Sequence, residues 1–199
     1  VSVSDMVYQD ISTAAAPLND TYTVMAANNT TVLTGEGADT VILADAAANT
    51  LFTRLDGGAG AADVLQLSAN YGNIDFSMFN HAAQPVIQGF EVIDLATDAG
   101  ADMITLTAAD LFNMGSHLVD ASTGAQTIVV TGDSLDTANI LAGGFVQQAG
   151  VFDTTGAANA TGGFNKHVAT YADINGAHLV ELLMQSRADI IKIADPDTV

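Results

Sequence analysis

The residues of this chain best placed to do chemistry are aspartates that come just after glycines. Gly35-Glu36-Gly37-Ala38-Asp39 leads into Thr40-Val41-Ile42-Leu43, and Asp56-Gly57-Gly58-Ala59-Gly60-Ala61-Ala62-Asp63 leads into Val64-Leu65-Gln66-Leu67. Each stretch runs from glycines to an aspartate to an alternating apolar run. Calcium is a hard cation that takes about six to eight oxygens, and turn carbonyls can supply many of them where residues without a Cβ let the peptide planes turn inward. The carboxylate adds charge, and the apolar run is a β-strand with alternate side chains directed into a core. This order suits calcium ligation, with Gly35, Gly37 and Asp39 as one ligand loop and Asp56, Gly58, Gly60 and Asp63 as a second.

Two further groups repeat these elements in part. Asp98-Ala99-Gly100-Ala101-Asp102 precedes Met103-Ile104-Thr105-Leu106, and Gly132-Asp133-Ser134-Leu135-Asp136 precedes Thr137-Ala138-Asn139-Ile140. Here Asp98, Gly100, Asp102, Asp133 and Asp136 fit cation ligation and fit equally well the turn and cap roles in which aspartate bonds nearby backbone. The acid content points to loops rather than to general solubility. Of 23 acidic residues 20 are Asp and 3 are Glu, and the short carboxylate is the one favoured in turns that hold cations.

The balance of charge excludes several functions. The formal net charge is -19, and Arg54, Lys166, Arg187 and Lys192 are the four basic residues among 199, too few for the phosphate contacts that nucleic acid requires. Anionic membrane surfaces are disfavoured for the same reason. No run approaches about eighteen apolar residues and the first residues lack a charged segment followed by an apolar one, so neither membrane insertion nor a cleavable export signal is expected. Cysteine is absent, which removes disulfides and thiolate sites and leaves bound calcium as an available staple.

Other chemistries find little support. His81, His117, His167 and His178 are scattered with no zinc spacing, which predicts surface or packing roles. There is no Gly-x-Ser-x-Gly elbow, no His-Glu-x-x-His and no phosphate loop, and a glycan-cleaving aspartate pair would need cationic or aromatic contacts that this chain is poor in. No enzyme is expected. Phe145, Phe152, Phe164 and Tyr171 are expected as core or loop anchors.

The elements that must position these residues are mostly strands. With 49% apolar residues, the chain predicts one domain over residues 21–195, preceded by a junction over residues 1–20 in which Pro17 and Asn19-Asp20 form turns. Strands are expected at Tyr22–Val24, over the apolar runs named above, at Phe90–Leu95 and at Thr127–Val130. The recurring small residue, aspartate and β-run suggest stacked coils of a solenoid with insertions. Thr107-Ala108-Ala109-Asp110 is a capping-box start for a short helix that Gly115 stops. Residues 142–166, rich in Gly, Ala, Thr and Asn, read as a loop. A turn at Asp173-Ile174-Asn175-Gly176, with its Asn175-Gly176 signal, predicts a C-terminal hairpin, and Ile190, Ile191 and Ile193 a last strand.

Residues 34–42 match the calcium nonapeptide of repeat-in-toxin proteins, Gly-Gly-x-Gly-x-Asp-x-U-x with U a large aliphatic residue, except that Thr34 replaces the first glycine. The second copy keeps Gly57, Gly58 and Gly60 but carries its aspartate one residue late, at Asp63. Together with Ile87-Gln88-Gly89-Phe90-Glu91-Val92-Ile93-Asp94-Leu95 and Gly132-Asp133-Ser134-Leu135-Asp136-Thr137-Ala138-Asn139-Ile140, these segments resemble a region of very large repeat-in-toxin adhesins exported by type I secretion. The resemblance covers about residues 30 to 185. It implies a mainly β, calcium-binding β-solenoid or β-roll-like stack with a short helix and a C-terminal hairpin region, holding several calcium ions, secreted and displayed on the bacterial cell surface. Such adhesins carry ligand-binding domains, among them sugar-binding modules and a peptide-binding domain of about this size. The implied partner is therefore a peptide or protein on another cell, bound by a monomeric module within a long chain. The alternative is a module that only folds, spaces or assists secretion.

Overall fold

The computed structural model describes residues 6–11, 13, 16–24, 30–44, 52–60, 62–68, 71–79, 86–97, 100–115, 118–133, 135–140, 145–154 and 163–185. The expected strand at 190–193 and the centre of the 142–166 loop lie outside them. The fold is mainly β with one short helix. In chain order the strands are β1 (Met6–Gln9), β2 (Thr21–Val24), β3 (Thr30–Leu33), β4 (Thr40–Leu43), β5 (Phe52–Asp56), β6 (Val64–Leu67), β7 (Asn73–Asp75), β8 (Ile87–Gln88), β9 (Val92–Asp94) and β10 (Met103–Leu106). Helix α1 (Ala108–Met114) follows, then β11 (Gln126–Thr131), β12 (Thr137–Ile140), β13 (Val146–Gln147), β14 (Phe164–Asp173) and β15 (Gly176–Gln185).

The strands fall into three sheets ordered β1-β3-β5-β8, β12-β10-β7 and β13-β14-β15-β11-β9-β6-β4-β2. From β1 to β6 the chain alternates between the first sheet and the largest one, so each pass lays one more parallel strand on both. The period-2 pattern makes this possible. In β4 and β6 the buried positions are Val41, Leu43, Leu65 and Leu67, and across the core they meet Val32, Leu55 and Ile87 from the first sheet. The third sheet adds Ile74, Ile104, Leu106 and Ile140 to the same core. A fully buried leucine here is worth about 2 kcal/mol by area alone, and its truncation to alanine about 2–5 kcal/mol once the cavity is counted.

Helix α1 forms where its caps place it. Thr107 accepts from the Asp110 N–H at 3.2 Å while Asp110 accepts from the Thr107 N–H at 2.8 Å, and Gly115 ends the helix at φ 63°. Its Phe112 stacks on His178 of the hairpin, ring centroids 4.2 Å apart, with Tyr171 at 5.2 Å from the same ring. No helix among the described residues is long and apolar enough to cross a membrane.

Two local features differ from expectation and one turn matches it. The run Phe90–Leu95 is a strand only from Val92, because Gly89, at φ 72°, and Glu91 form a corner after β8. The hairpin turn falls where the Asp173-Ile174-Asn175-Gly176 stretch places it, with Ile174 and Asn175 between paired Asp173 and Gly176. Inside the expected 142–166 loop, β13 pairs antiparallel with Val168 and His167, and Phe152 bridges Phe164. The apolar period is hidden there because Lys166, at the segment's end, and the adjoining His167 are polar residues at buried positions.

Candidate functional site

The two motif aspartates stand at the corners immediately before strands of the largest sheet, Asp39 before β4 and Asp63 before β6, and both are wholly buried. Asp20 and Glu91 occupy the same place before β2 and β9. Neighbouring corners are tied through the carboxylates. The Asp20 N–H donates to Asp39 Oδ1 at 2.7 Å, the Asp39 N–H to Asp63 Oδ1 at 2.8 Å, and the Asp63 N–H to Glu91 Oε2 at 2.8 Å. The strands then continue the ladder, with Thr40 donating to the Asp20 carbonyl at 2.9 Å and Val64 to the Asp39 carbonyl at 2.8 Å. Each hydrogen bond to a charged acceptor contributes about 1.5–3 kcal/mol.

One oxygen of each motif carboxylate is left over. Asp39 Oδ2 and Asp63 Oδ2 are buried and accept no hydrogen bond. Burial pushes the Asp63 carboxyl up to about 7, against the pull of the Asp39 N–H, and the charges of Glu91, Asp39 and Asp56 add to the rise. Burial moves Asp39 in the same direction, opposed by the Asp20 N–H and by the Thr34 hydroxyl beside it. That hydroxyl sends its hydrogen to the Gly57 carbonyl at 2.6 Å, so the residue that departs from the glycine motif pins the next bend.

The glycines are required by how closely the bends approach. A Cβ on Gly58 would meet the Gly35 carbonyl oxygen, and one on Gly60 the Gly37 carbonyl oxygen, well inside the 3.0 Å that real Cβ atoms keep. Gly35 and Gly58 also share a left-handed backbone, at φ 87° and 85°.

Calcium fits these corners by donor chemistry. The donors are hard oxygens, carboxylate and carbonyl, with neither thiolate nor imidazole among the residues named. Among the described residues no three acidic or histidine side chains gather as a metal site. A cation beside Asp39 and Asp63 would therefore draw most of its shell from the glycine-bend carbonyls.

The remaining candidates divide. Asp56 lies on the outer side of β5, where it accepts from Arg54 Nη2 at 2.8 Å, Gln88 Nε2 at 2.8 Å and the Gly58 N–H at 3.1 Å, so its oxygens are committed. Asp102 forms a second corner series in the third sheet. Its Oδ1 accepts from the Gly72 N–H at 3.0 Å and its own N–H donates to Asp136 Oδ1 at 3.0 Å. Asp136 Oδ2 takes the Asp133 N–H at 2.6 Å, and Asp133 closes its own turn with the Leu135 N–H at 2.7 Å. Asp133 and Asp136 thus act in turns and between corners. Gly100 lies two residues before Asp102, and Asp98 lies outside the described residues.

Sequence reasoning missed a second cluster of buried charge. Lys166 Nζ donates to Asp120 Oδ2 at 2.8 Å, stands 3.2 Å from Glu181 Oε2 and lies 5.0 Å from the centre of the Phe152 ring. Burial works against the charge on Asp120, but hydrogen bonds from Lys166 and Ser122 outweigh it and hold the carboxyl below its usual range. Glu181 moves up, chiefly through burial, against the Thr123 hydroxyl and Lys166. Comparison with known proteins found no matching family model, curated protein or solved structure.

Proposed function

We propose that this chain is a calcium-binding, solenoid-like β module of a large repeat-in-toxin adhesin, secreted to a bacterial cell surface, that binds peptide or protein targets on other cells. The observation that carries the reading is the pair Asp39 and Asp63, each buried, each holding one neighbouring amide and each with an oxygen that accepts no hydrogen bond from the described residues. Calcium, when bound, supplies positive charge to those oxygens. The chain's own part is positioning: amides fix one oxygen of each carboxylate, the glycines let carbonyls approach, and Thr34 holds the Gly57 bend in place. The regular addition of parallel strands to two sheets supports the stacked-coil architecture, in which each corner repeats the one before. Binding to the folded state alone stabilises it by mass action.

A second reading, a module that only folds, spaces or assists secretion, draws on Asp56 and Asp136, whose two oxygens are both taken by donors within the chain. The two readings part in one experiment. Thermal melts in millimolar calcium and in chelator test the metal, with a fall of at least about 10 °C expected on chelation. Peptide and glycan arrays under the same two conditions test the ligand. Coincident melts would remove the calcium reading, and a blank array beside separated melts would leave the structural module.

A further inference from the structure

The largest sheet ends on β2, and among the described residues no strand pairs with its far edge. The pairing with β4 takes the carbonyls of Asp20 and Val24, so the alternation of the backbone turns the N–H and C=O groups of Thr21 and Thr23 to the open side. Sheet edges are usually blunted by charge, proline or a bulge, and Thr21-Tyr22-Thr23-Val24 carries none of these. Thr21 and Thr23 are exposed. Beneath them the rings of Tyr22 and Tyr8 pack with centroids 5.5 Å apart, half-buried at the end of the core.

The corner series is unfinished at the same place. Each later carboxylate takes the N–H of the corner before it, Asp39 from Asp20, Asp63 from Asp39 and Glu91 from Asp63. Asp20 is the first of the series, and its own carboxylate accepts no hydrogen bond from the described residues. Unlike the leftover oxygens of Asp39 and Asp63, those of Asp20 are not sealed from solvent.

Charge and shape restrict what completes the series. Burial, then the charges of Asp20, Asp10 and Asp39, push the Tyr22 phenol up, so the corner is negative and favours a donor that is itself positive. The bends stack because Gly60 backs onto the Gly37 carbonyl and Gly37 onto that of Leu18, with no room for a Cβ at either glycine. Leu18, next in that row, carries an exposed side chain where a further bend would have to lie. A chain arriving through another glycine bend meets that side chain, whereas a chain that begins at the corner does not.

We propose that the open edge of β2 takes the amino-terminal end of an extended peptide, added parallel as one more strand, with the terminal ammonium on the Asp20 carboxylate. In that register the Thr21 N–H donates to the carbonyl of the first peptide residue, as Thr40 does to Asp20 and Val64 to Asp39, and an apolar third residue lies beside Tyr22. The proposal rests on the peptide-binding reading, for which it names the place and the end of the peptide, and is independent of calcium at the glycine bends.

The test uses the full chain, isotope-labelled and calcium-loaded, at about pH 6.5, where a terminal amine is charged. The probes are Ala-Thr-Val-Thr-Ala amide with a free amino terminus and the same peptide Nα-acetylated. Saturable amide shifts at Asp20, Thr21, Tyr22 and Thr23 are expected with the free amine, and about tenfold weaker affinity with the acetylated form. Asp20→Asn, which removes no side-chain bond seen within the fold, should weaken the free amine about tenfold and leave the acetylated peptide unchanged. Thr23→Pro removes an N–H on the open side and none that pairs with β4, and should abolish binding of both peptides. No shifts at millimolar peptide, acetylated peptide binding as tightly as free amine, or saturation that survives Thr23→Pro would each overturn the proposal. Shifts at β2 that follow protein concentration without any peptide would overturn it too, by placing a second copy on the edge. Peptides that register on the array yet leave β2 unshifted would sink this site alone and leave the peptide-binding reading standing.

Discussion

The two ends of the largest sheet bury negative charge in different ways. At the β2–β4–β6–β9 end, strands run parallel and the corner carboxylates of Asp39 and Asp63 are met by backbone amides, with an oxygen of each left over. At the β14–β15 end, strands run antiparallel and a lysine ammonium sits between Asp120 and Glu181. A buried charge must be paired or neutralised. In a chain with four Lys and Arg against 23 acids, internal cations are scarce, so the first end must draw on a proton or an ion from solution. One end should therefore respond to calcium and pH, and the other should carry its counter-ion within the fold.

The largest effect should come from breaking the self-sufficient end. Lys166→Met removes the ammonium and strands two buried carboxylates, a change expected to cost about 3–5 kcal/mol. Because Lys166 lies in the other region, urea unfolding should register the same loss in calcium and in chelator. A loss confined to one condition would show that the two ends are not separate.

Asp63→Asn probes the other end, with an effect of opposite sign in the two conditions. A carboxyl at about 7 in the folded chain, against 3.8 for an unperturbed aspartate, binds its proton more tightly when folded. Stability therefore falls as pH rises from about 4 to about 7 and stays low above it, by roughly 4 kcal/mol for that shift. Asp39 and Glu181 shift the same way and add to the slope. His167, held down by burial, opposes it below about pH 6.5. The difference between Asp63→Asn and the parent isolates the one group. In chelator at pH 8 the variant should be more stable by up to about 4 kcal/mol, with the gain fading towards pH 5. In calcium it should be less stable if, as proposed, Asp63 holds the ion. Denaturant midpoints at pH 5 to 8 decide it, and a variant weaker than the parent in chelator at pH 8 would refute the open-oxygen account.

What the chain reveals without its structure is local. The capping box at Thr107 and Asp110, the Asp173–Gly176 turn and the Gly-Asp-strand order at 35–43 each announce themselves within a few residues. The corner series is legible only where glycines flag it. Asp20 sits in a stretch that reads as a junction, although β1 of that stretch pairs with β3, and Glu91 reads as part of a strand that in fact begins one residue later. The signal that finds both is an acid directly before a β-run, whatever precedes it. No comparable signal marks the lysine cluster. Asp120 and Lys166 are 46 residues apart, Thr123 and Glu181 are 58 apart, and only the pairing of β11, β14 and β15 brings them together. Short contacts follow from propensity and turn chemistry, whereas these follow from sheet order.

The smallest effect sharpens the comparison at single hydroxyls. Thr34→Val keeps the shape of a wholly buried residue and deletes the donor to the Gly57 carbonyl, for an expected loss of about 1–2 kcal/mol. Thr123→Val deletes the donor to Glu181 Oε1 and the acceptor of the Ala125 N–H, so about 1 kcal/mol is expected. If Thr34 positions a bend that also holds an ion, its variant should in addition need more calcium to reach the same melting temperature, while the Thr123 variant should follow the parent's calcium dependence. Calcium titrations followed by melting temperature measure both, and a parent-like titration for Thr34→Val would reduce that hydroxyl to a packing contact with no bearing on the ion.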